Sequence, residues 1–134
     1  EFVDAIENVN YYDDSGACSC EATWFSFDNI GESVVWITYA DNFDCDELVP
    51  QVKKYVKSII CIGNNTDRFH NVFGNIIEGE IIDCQSIEEA VKLSYGTAEP
   101  GDNVLFSPST PVKGDFMSYA QRGDFFKQCV NSLK

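Results

Sequence analysis

A chain of 134 residues with 22 Asp+Glu against 9 Lys+Arg carries a formal net charge of −13. That balance excludes the basic surface through which nucleic acid or an anionic membrane is bound. With 44% hydrophobic and 23% charged residues, and no apolar run near the ~20 residues of a membrane span, the composition is that of one soluble globular domain with its own core.

Glu1 to Ile6 alternates weakly, and Val9-Asn10-Tyr11-Tyr12-Asp13 is rich in β-formers. Together they predict two strands with a hairpin turn at Glu7-Asn8. The turn cluster Asp13-Asp14-Ser15-Gly16 follows. From Ser19 to Asn29 the apolar positions Ala22 and Phe25 recur at helical spacing, with Ser19 as N-cap and Trp24 and Phe25 as anchors. Ser33 to Thr38 predicts a buried strand, then come the acidic loop Asp41-Asn42-Phe43-Asp44 and a helix from about Asp46 to Lys57. Leu48, Val52, Tyr55 and Val56 line one face of that helix, and Pro50 suits its first turn. Ser58 to Ile62 is a further apolar run, closed by Gly63-Asn64-Asn65. A short helix over 66–73, a strand over 79–83 and a helix from Ser86 to Thr97 with capping-box Glu89 come next. Val104-Leu105-Phe106, entered through Pro100-Gly101 and stopped by Ser107-Pro108, suits a strand buried on both faces. A polar loop and a helix from about Asp115 to Leu133 complete the chain.

This alternation predicts a three-layer, Rossmann-like α/β fold. The expected sheet has about six strands, mainly parallel with one antiparallel, and helices on both faces. A single domain over 1–134 is expected, excised from a longer polypeptide, since the first residues already alternate like a strand. The loops 13–19, 39–44 and 107–114 leave the carboxyl ends of strands, where open α/β sheets bind ligands.

Cysteines stand at 18, 20, 45, 61, 84 and 129. The α/β pattern is unlike a small disulfide-framed secreted domain, so reduced thiols and a cytoplasmic setting are expected. Cys61, Cys84 and Cys129 fall among apolar residues and read as small buried hydrophobes. Cys18-x-Cys20 lacks a second pair, and with only His70 elsewhere it offers too few ligands for zinc. His70 reads as an exposed helix histidine, and Arg122 is expected to pair with one of the many carboxylates.

Gly101-Asp102-Asn103-Val104-Leu105-Phe106-Ser107-Pro108, followed by Tyr119 and Gln121-Arg122-Gly123, resembles the end of the C-terminal domain of Mur ligases, nearest the branch that adds D-glutamate. The family pattern there is Gly-Asp-x-Val-Leu-Leu-Ser-Pro, then an aromatic residue and Arg-Gly. The resemblance runs along essentially the whole chain. It implies part of an ATP- and magnesium-dependent amide ligase of peptidoglycan precursor synthesis. In that reaction the carboxylate of UDP-N-acetylmuramoyl-L-alanine is phosphorylated, and the amine of D-glutamate attacks the acyl phosphate. A central ATPase domain of the same polypeptide is the implied partner. No G-x-x-x-x-G-K-[ST] phosphate loop occurs here, so the isolated domain is expected to be inactive and to hold no cofactor.

Asp14 and Ser15 match the family loop Asn-Asp-Ser-Lys-Ala-Thr-Asn, and by resemblance they are nucleotide-binding, Asp14 at the ribose. Gly16 stands where the family has lysine, Cys18 where it has threonine and Ser19 where it has asparagine. The next loop reads Thr38-Tyr39-Ala40-Asp41-Asn42, without the family's glycine pair or its substrate-binding lysine, so Asn42 is the substrate candidate there. Ser107 is retained, Val112 replaces a serine that contacts D-glutamate, Lys113 is the nearby cation, and Tyr119 keeps the aromatic position. Gly16, Cys18, Asn42, Ser107, Val112, Lys113 and Tyr119 are thus the substrate-site candidates, and no catalytic or metal-ligating residue is assigned. The altered lysine positions keep open a non-catalytic descendant that binds a ligand or partner. A phosphoacceptor receiver, suggested by Asp13-Asp14 after a strand, needs a lysine where Ser107-Pro108 stands.

Overall fold

The two opening runs form an antiparallel hairpin, β1 (Phe2–Ile6) and β2 (Val9–Asp13), in a computed structural model that describes residues 1–41, 45–111 and 116–134. Glu7 and Asn8 take φ of 50° and 65°, the left-handed pair of a two-residue hairpin turn whose twist matches its strands. There follow α1 (Cys20–Ile30), β3 (Val34–Tyr39), a 3-10 turn (Asp46–Leu48) running into α2 (Val49–Tyr55), β4 (Val56–Ile62) and α3 (Asp67–Phe73). Then come β5 (Ile81–Cys84), α4 (Ile87–Thr97), β6 (Asn103–Phe106) and α5 (Tyr119–Asn131).

The strands make one six-stranded sheet in the order β1-β2-β6-β3-β4-β5, parallel everywhere except at the β1–β2 pair. Side chains alternate across the pleat and so build two cores. Val35, Ile37, Ile60, Val104 and Phe106 pack under α4 and α5. Val34, Trp36, Ile59 and Leu105 pack under α1, α2 and α3. Both faces are therefore covered, which is why β3, β4 and β6 read as continuous apolar runs rather than alternating ones. Trp36 is fully buried against Phe27, Phe69 and Phe73 at centroid distances of 5.1, 5.6 and 5.9 Å. Such ring pairs contribute ~0.5–1.5 kcal/mol each beyond their buried area.

Several local expectations are corrected. In α1 the buried residues are Thr23 and Phe27, and Trp24 packs partly buried against the core as expected, whereas Phe25 is 57% exposed. Residues four apart share a helix face, and the 23/27 stripe, not the one carrying Phe25, faces the sheet. The helix expected to reach Lys57 ends at Tyr55, and Val56 opens β4. The last helix starts at Tyr119, where the Ser118 hydroxyl accepts from the Gln121 amide.

Candidate functional site at the carboxyl edge of the sheet

Because β6 lies between β2 and β3, the loops after Asp13, Phe106 and Tyr39 leave the same edge side by side. Buried side chains of β3 fix the loop after β6. Trp36 Nε1 donates to the Ser107 carbonyl at 2.8 Å, and Thr38 Oγ1 donates to the Pro108 carbonyl at 2.9 Å. The Ser107 amide donates to Ile37 O at 3.1 Å, and the Asp14 amide to Phe106 O at 2.8 Å. Each of the two loops carrying the resemblance is thereby hydrogen-bonded to a neighbouring strand, the loop after β6 to β3 and the loop after β2 to β6.

Asp14 sits inside this junction. Its Oδ2 accepts from the hydroxyls of Ser26 and Ser107, the latter at 2.8 Å, and Ser107 Oγ also lies 2.8 Å from Thr23 Oγ1. Burial raises the Asp14 pKa above the usual carboxylate range, and the two hydroxyls work the other way. Ser107 is fully buried and Ser15 is 4% exposed, so both shape the loops from within, and Ser15 also lines the cleft described below. Ser15 donates through its amide (3.1 Å) and its hydroxyl to Asp13 Oδ1, an Asx-type turn closing the cluster read from the sequence.

Gly123 in α5 lets this turn lie directly on the helix. A Cβ there would stand 2.6 Å from Asp13 Oδ2 and 2.9 Å from Ser15 Oγ, closer than real atoms approach. One turn of helix to either side, Tyr119 and Lys127 flank a cleft of about 290 Å³ that Asp13, Asp14 and Gly16 also line. Tyr119 is 56% exposed, with its ring near Gly16. Lys127 Nζ pairs with Glu1 at 2.7 Å and lies 4.0 Å from Asp13.

Arg122 departs from its expected ion pair. It is 2% exposed, and its Nη2 donates to Ser15 O at 2.9 Å and Thr110 O at 3.3 Å, so one guanidinium joins the loops after β2 and β6. Its Cζ lies 5.5 Å from the centre of the Tyr39 ring, which brings the loop after β3 into the same contact. Burial pushes its pKa down from the arginine range, opposed by Tyr39, Cys18 and Asp13. Among the described residues its Nε has no hydrogen-bond partner, nor does Thr110 Oγ1.

The cysteines also depart from expectation. Cys20, at the start of α1, and Cys45, after β3, form a disulfide with Cα atoms 5.5 Å apart, so the thiols are not all reduced. The strand order sets these loops against one another although the residues stand 25 apart in sequence. Cys18 is a free, half-buried thiol; Cys61 and Cys84 are buried as expected, and Cys129 is only half-buried. His70 is an exposed helix histidine on α3, as expected, and its Nε2 lies 2.8 Å from Asp83 Oδ1. Asp41 accepts from the amides of Asn64 (3.0 Å) and Asn65 (2.8 Å), against Gly63 at φ 148°. Any Cβ at Gly63 would meet the Asp41 carboxylate at 2.6 Å.

Asp14, Ser15, Gly16, Ser107 and Tyr119 therefore come together, with Cys18 beside Arg122. Asn42, Val112 and Lys113 lie outside the described residues. Lys127, Arg122 and Thr23 are the members the sequence reading missed. The spacing Tyr119, Gly123, Lys127 is one helix face and was the available signal for Lys127. A nucleotide fits the described cleft only in part. Glu1, Asp13, Asp14 and Asp124 around Lys127 suit hydroxyls and ammonium groups, and they repel a bare triphosphate.

No family model matches the chain. It is 36% identical over 130 residues to the UDP-N-acetylmuramoylalanine–D-glutamate ligase of Christiangramia forsetii, covering 96% of this chain and 29% of that protein. It is 33% identical over 138 residues to the ligase of the same name from Clostridioides difficile, covering 100% of this chain and 30% of the relative. The chain thus spans about three-tenths of the length of these curated relatives. In structure it is similar to the crystal structure of a domain attributed to a UDP-N-acetylmuramate:L-alanyl-gamma-D-glutamyl-meso-diaminopimelate ligase of Haemophilus ducreyi. That match has a TM-score of 0.66 at 17% identity, covers 100% of this chain and 98% of that one, and shows a shared fold. Sequence similarity along the whole chain, on a fold shared with that domain, identifies the chain as a Mur ligase domain.

Proposed function

We propose that the chain is the C-terminal domain of an ATP-dependent ligase joining D-glutamate to UDP-N-acetylmuramoyl-L-alanine, and that its carboxyl-edge cleft receives the amino acid. The observation that carries this reading is the convergence of the loops after β2, β6 and β3 beside an exposed tyrosine, in the stretches that resemble the family. D-glutamate brings two carboxylates and an amine. Lys127 is a cation in the cleft for a carboxylate, and the carboxyls of Asp13 and Asp14 suit an ammonium group or ribose hydroxyls. The Tyr119 ring would cover the aliphatic carbons. Holding the amine in line with the acyl phosphate is the domain's contribution to rate, by removing the entropy of encounter.

ATP would supply the phosphoryl group, with magnesium neutralising its phosphate charge, and a central ATPase domain of the same polypeptide would hold both, because the cleft is too acidic for the triphosphate. UDP-N-acetylmuramoyl-L-alanine is the second substrate, and the cytoplasm is the setting. Curated relatives named as ligases favour this over the non-catalytic module. The test uses the whole protein that contains the chain. Tyr119→Ala should raise KM for D-glutamate about tenfold, the ~1.4 kcal/mol of a lost packing contact, with little change in KM for the UDP substrate. Equal changes in both, or none in either, would contradict the placement.

A further inference from the structure

Two strands away from the cleft, Cys61 on β4, His70 on α3 and Asp83 on β5 bring three metal-ligating side chains together, with ligand atoms all within 4.8 Å of one another. His70 Nε2 lies 2.8 Å and Cys61 Sγ 3.1 Å from Asp83 Oδ1. The other carboxylate oxygen, Oδ2, accepts from Thr66 Oγ1 at 2.9 Å. A hydroxyl thus holds one face of the carboxylate, while a sulfur and an imidazole nitrogen close on the other. We propose that Cys61, His70 and Asp83 form a zinc-binding site, with Thr66 orienting the carboxylate from outside it.

The donor set is the reason for zinc. One thiolate, one imidazole and one carboxylate make a borderline-soft tetrahedral environment with a fourth position for water. Bonds of ~2.0–2.1 Å to nitrogen and oxygen and ~2.3 Å to sulfur hold tetrahedral ligands about 3.3–3.6 Å apart. The observed pairs lie at 2.8 and 3.1 Å, so each must open by roughly half an ångström. His70 and Asp83 can move, being 42% and 47% exposed, and they give the ion its entry path. Cys61, buried on β4, is the fixed ligand. On binding, the Cys61 thiol proton passes to solvent, the sulfur–carboxylate hydrogen bond is replaced by a zinc–sulfur bond, and His70 ligates through a neutral Nε2. The net charge of −13 favours uptake of a divalent cation. This site is independent of the ligase reading.

The competing role is a hydrogen-bonded buttress that ties α3 to the sheet, and metal binding separates the two. The chain, stripped with chelator, would be titrated with Co2+ and then Zn2+, with Cys20→Ser/Cys45→Ser as a background in which the disulfide cysteines can supply no thiolate. The expected result is one equivalent of Co2+ with thiolate-to-metal charge-transfer absorption, displaced by Zn2+ and retained in that background. Cys61→Ser should abolish the band, and Thr66→Val should weaken affinity about 10–100-fold. His70→Ala, at an exposed position, provides a folded variant whatever Cys61→Ser does, and it should weaken Zn2+ binding at least tenfold. Absence of stoichiometric uptake by the parent, an unchanged band in Cys61→Ser, or unchanged affinity in His70→Ala would overturn the proposal.

Discussion

Arg122→Met removes the guanidinium that joins two loops while leaving most of the apolar stem in place. It deletes the donor to Ser15 O at 2.9 Å and to Thr110 O at 3.3 Å. A hydrogen bond from a charged donor contributes ~1.5–3 kcal/mol, the longer one toward the bottom of that range. Restoring the hydration of a buried cation offsets part of the loss, since Arg122 is 2% exposed and has no partner for Nε among the described residues. The expected net destabilisation is about 2 kcal/mol, a ~30-fold fall in the folded-to-unfolded ratio. Urea denaturation measures that difference. Labelling of Cys18, which neighbours Arg122, reports whether the loop after β2 comes loose, and it should accelerate before global unfolding. Arg122→Lys should fall between the two, because one ammonium group lacks the planar fork of donors. Unchanged stability together with unchanged Cys18 labelling would refute the clamp.

Reduction of Cys20–Cys45, or Cys20→Ser, reopens a loop of sequence separation 25. Chain entropy puts the cost at about 3.5 kcal/mol, readable as a lower urea midpoint under reductant that the double serine variant does not show. Asp14 has a raised folded-state pKa, so its contribution to stability is present below the unfolded value, near ~3.9, and is lost as pH rises through the folded value. Asp14→Asn should therefore gain on the parent as pH rises above the unfolded carboxylate value in urea titrations, and a difference of opposite slope would contradict the burial argument.

Much of the fold is local and so was legible. The apolar run Val104–Phe106, bracketed by Pro100-Gly101 and Ser107-Pro108, is the buried strand β6, and Glu7-Asn8 is the hairpin turn. Ser19 and Ser86 cap their helices as the spacing indicates. What stayed hidden depends on strand order, which no short window of sequence encodes. The insertion of β6 between β2 and β3 places Ser107 against Asp14, 93 residues away, and carries Arg122 beneath both loops. The same order puts Cys45 against Cys20. Phe25 misled because an aromatic at helical spacing implies burial, whereas Thr23 occupies the sheet-facing position and meets Ser107 through its hydroxyl. Arg122 misled because an excess of carboxylates implies ion pairing, whereas the loops enclose it with backbone carbonyls.

The most direct measurement is incorporation of labelled glutamate by the purified whole protein supplied with ATP, magnesium and UDP-N-acetylmuramoyl-L-alanine. The expected result is an amide product and stoichiometric inorganic phosphate with D-glutamate, and neither with L-glutamate. A folded protein that forms no amide with D-glutamate would contradict the assignment.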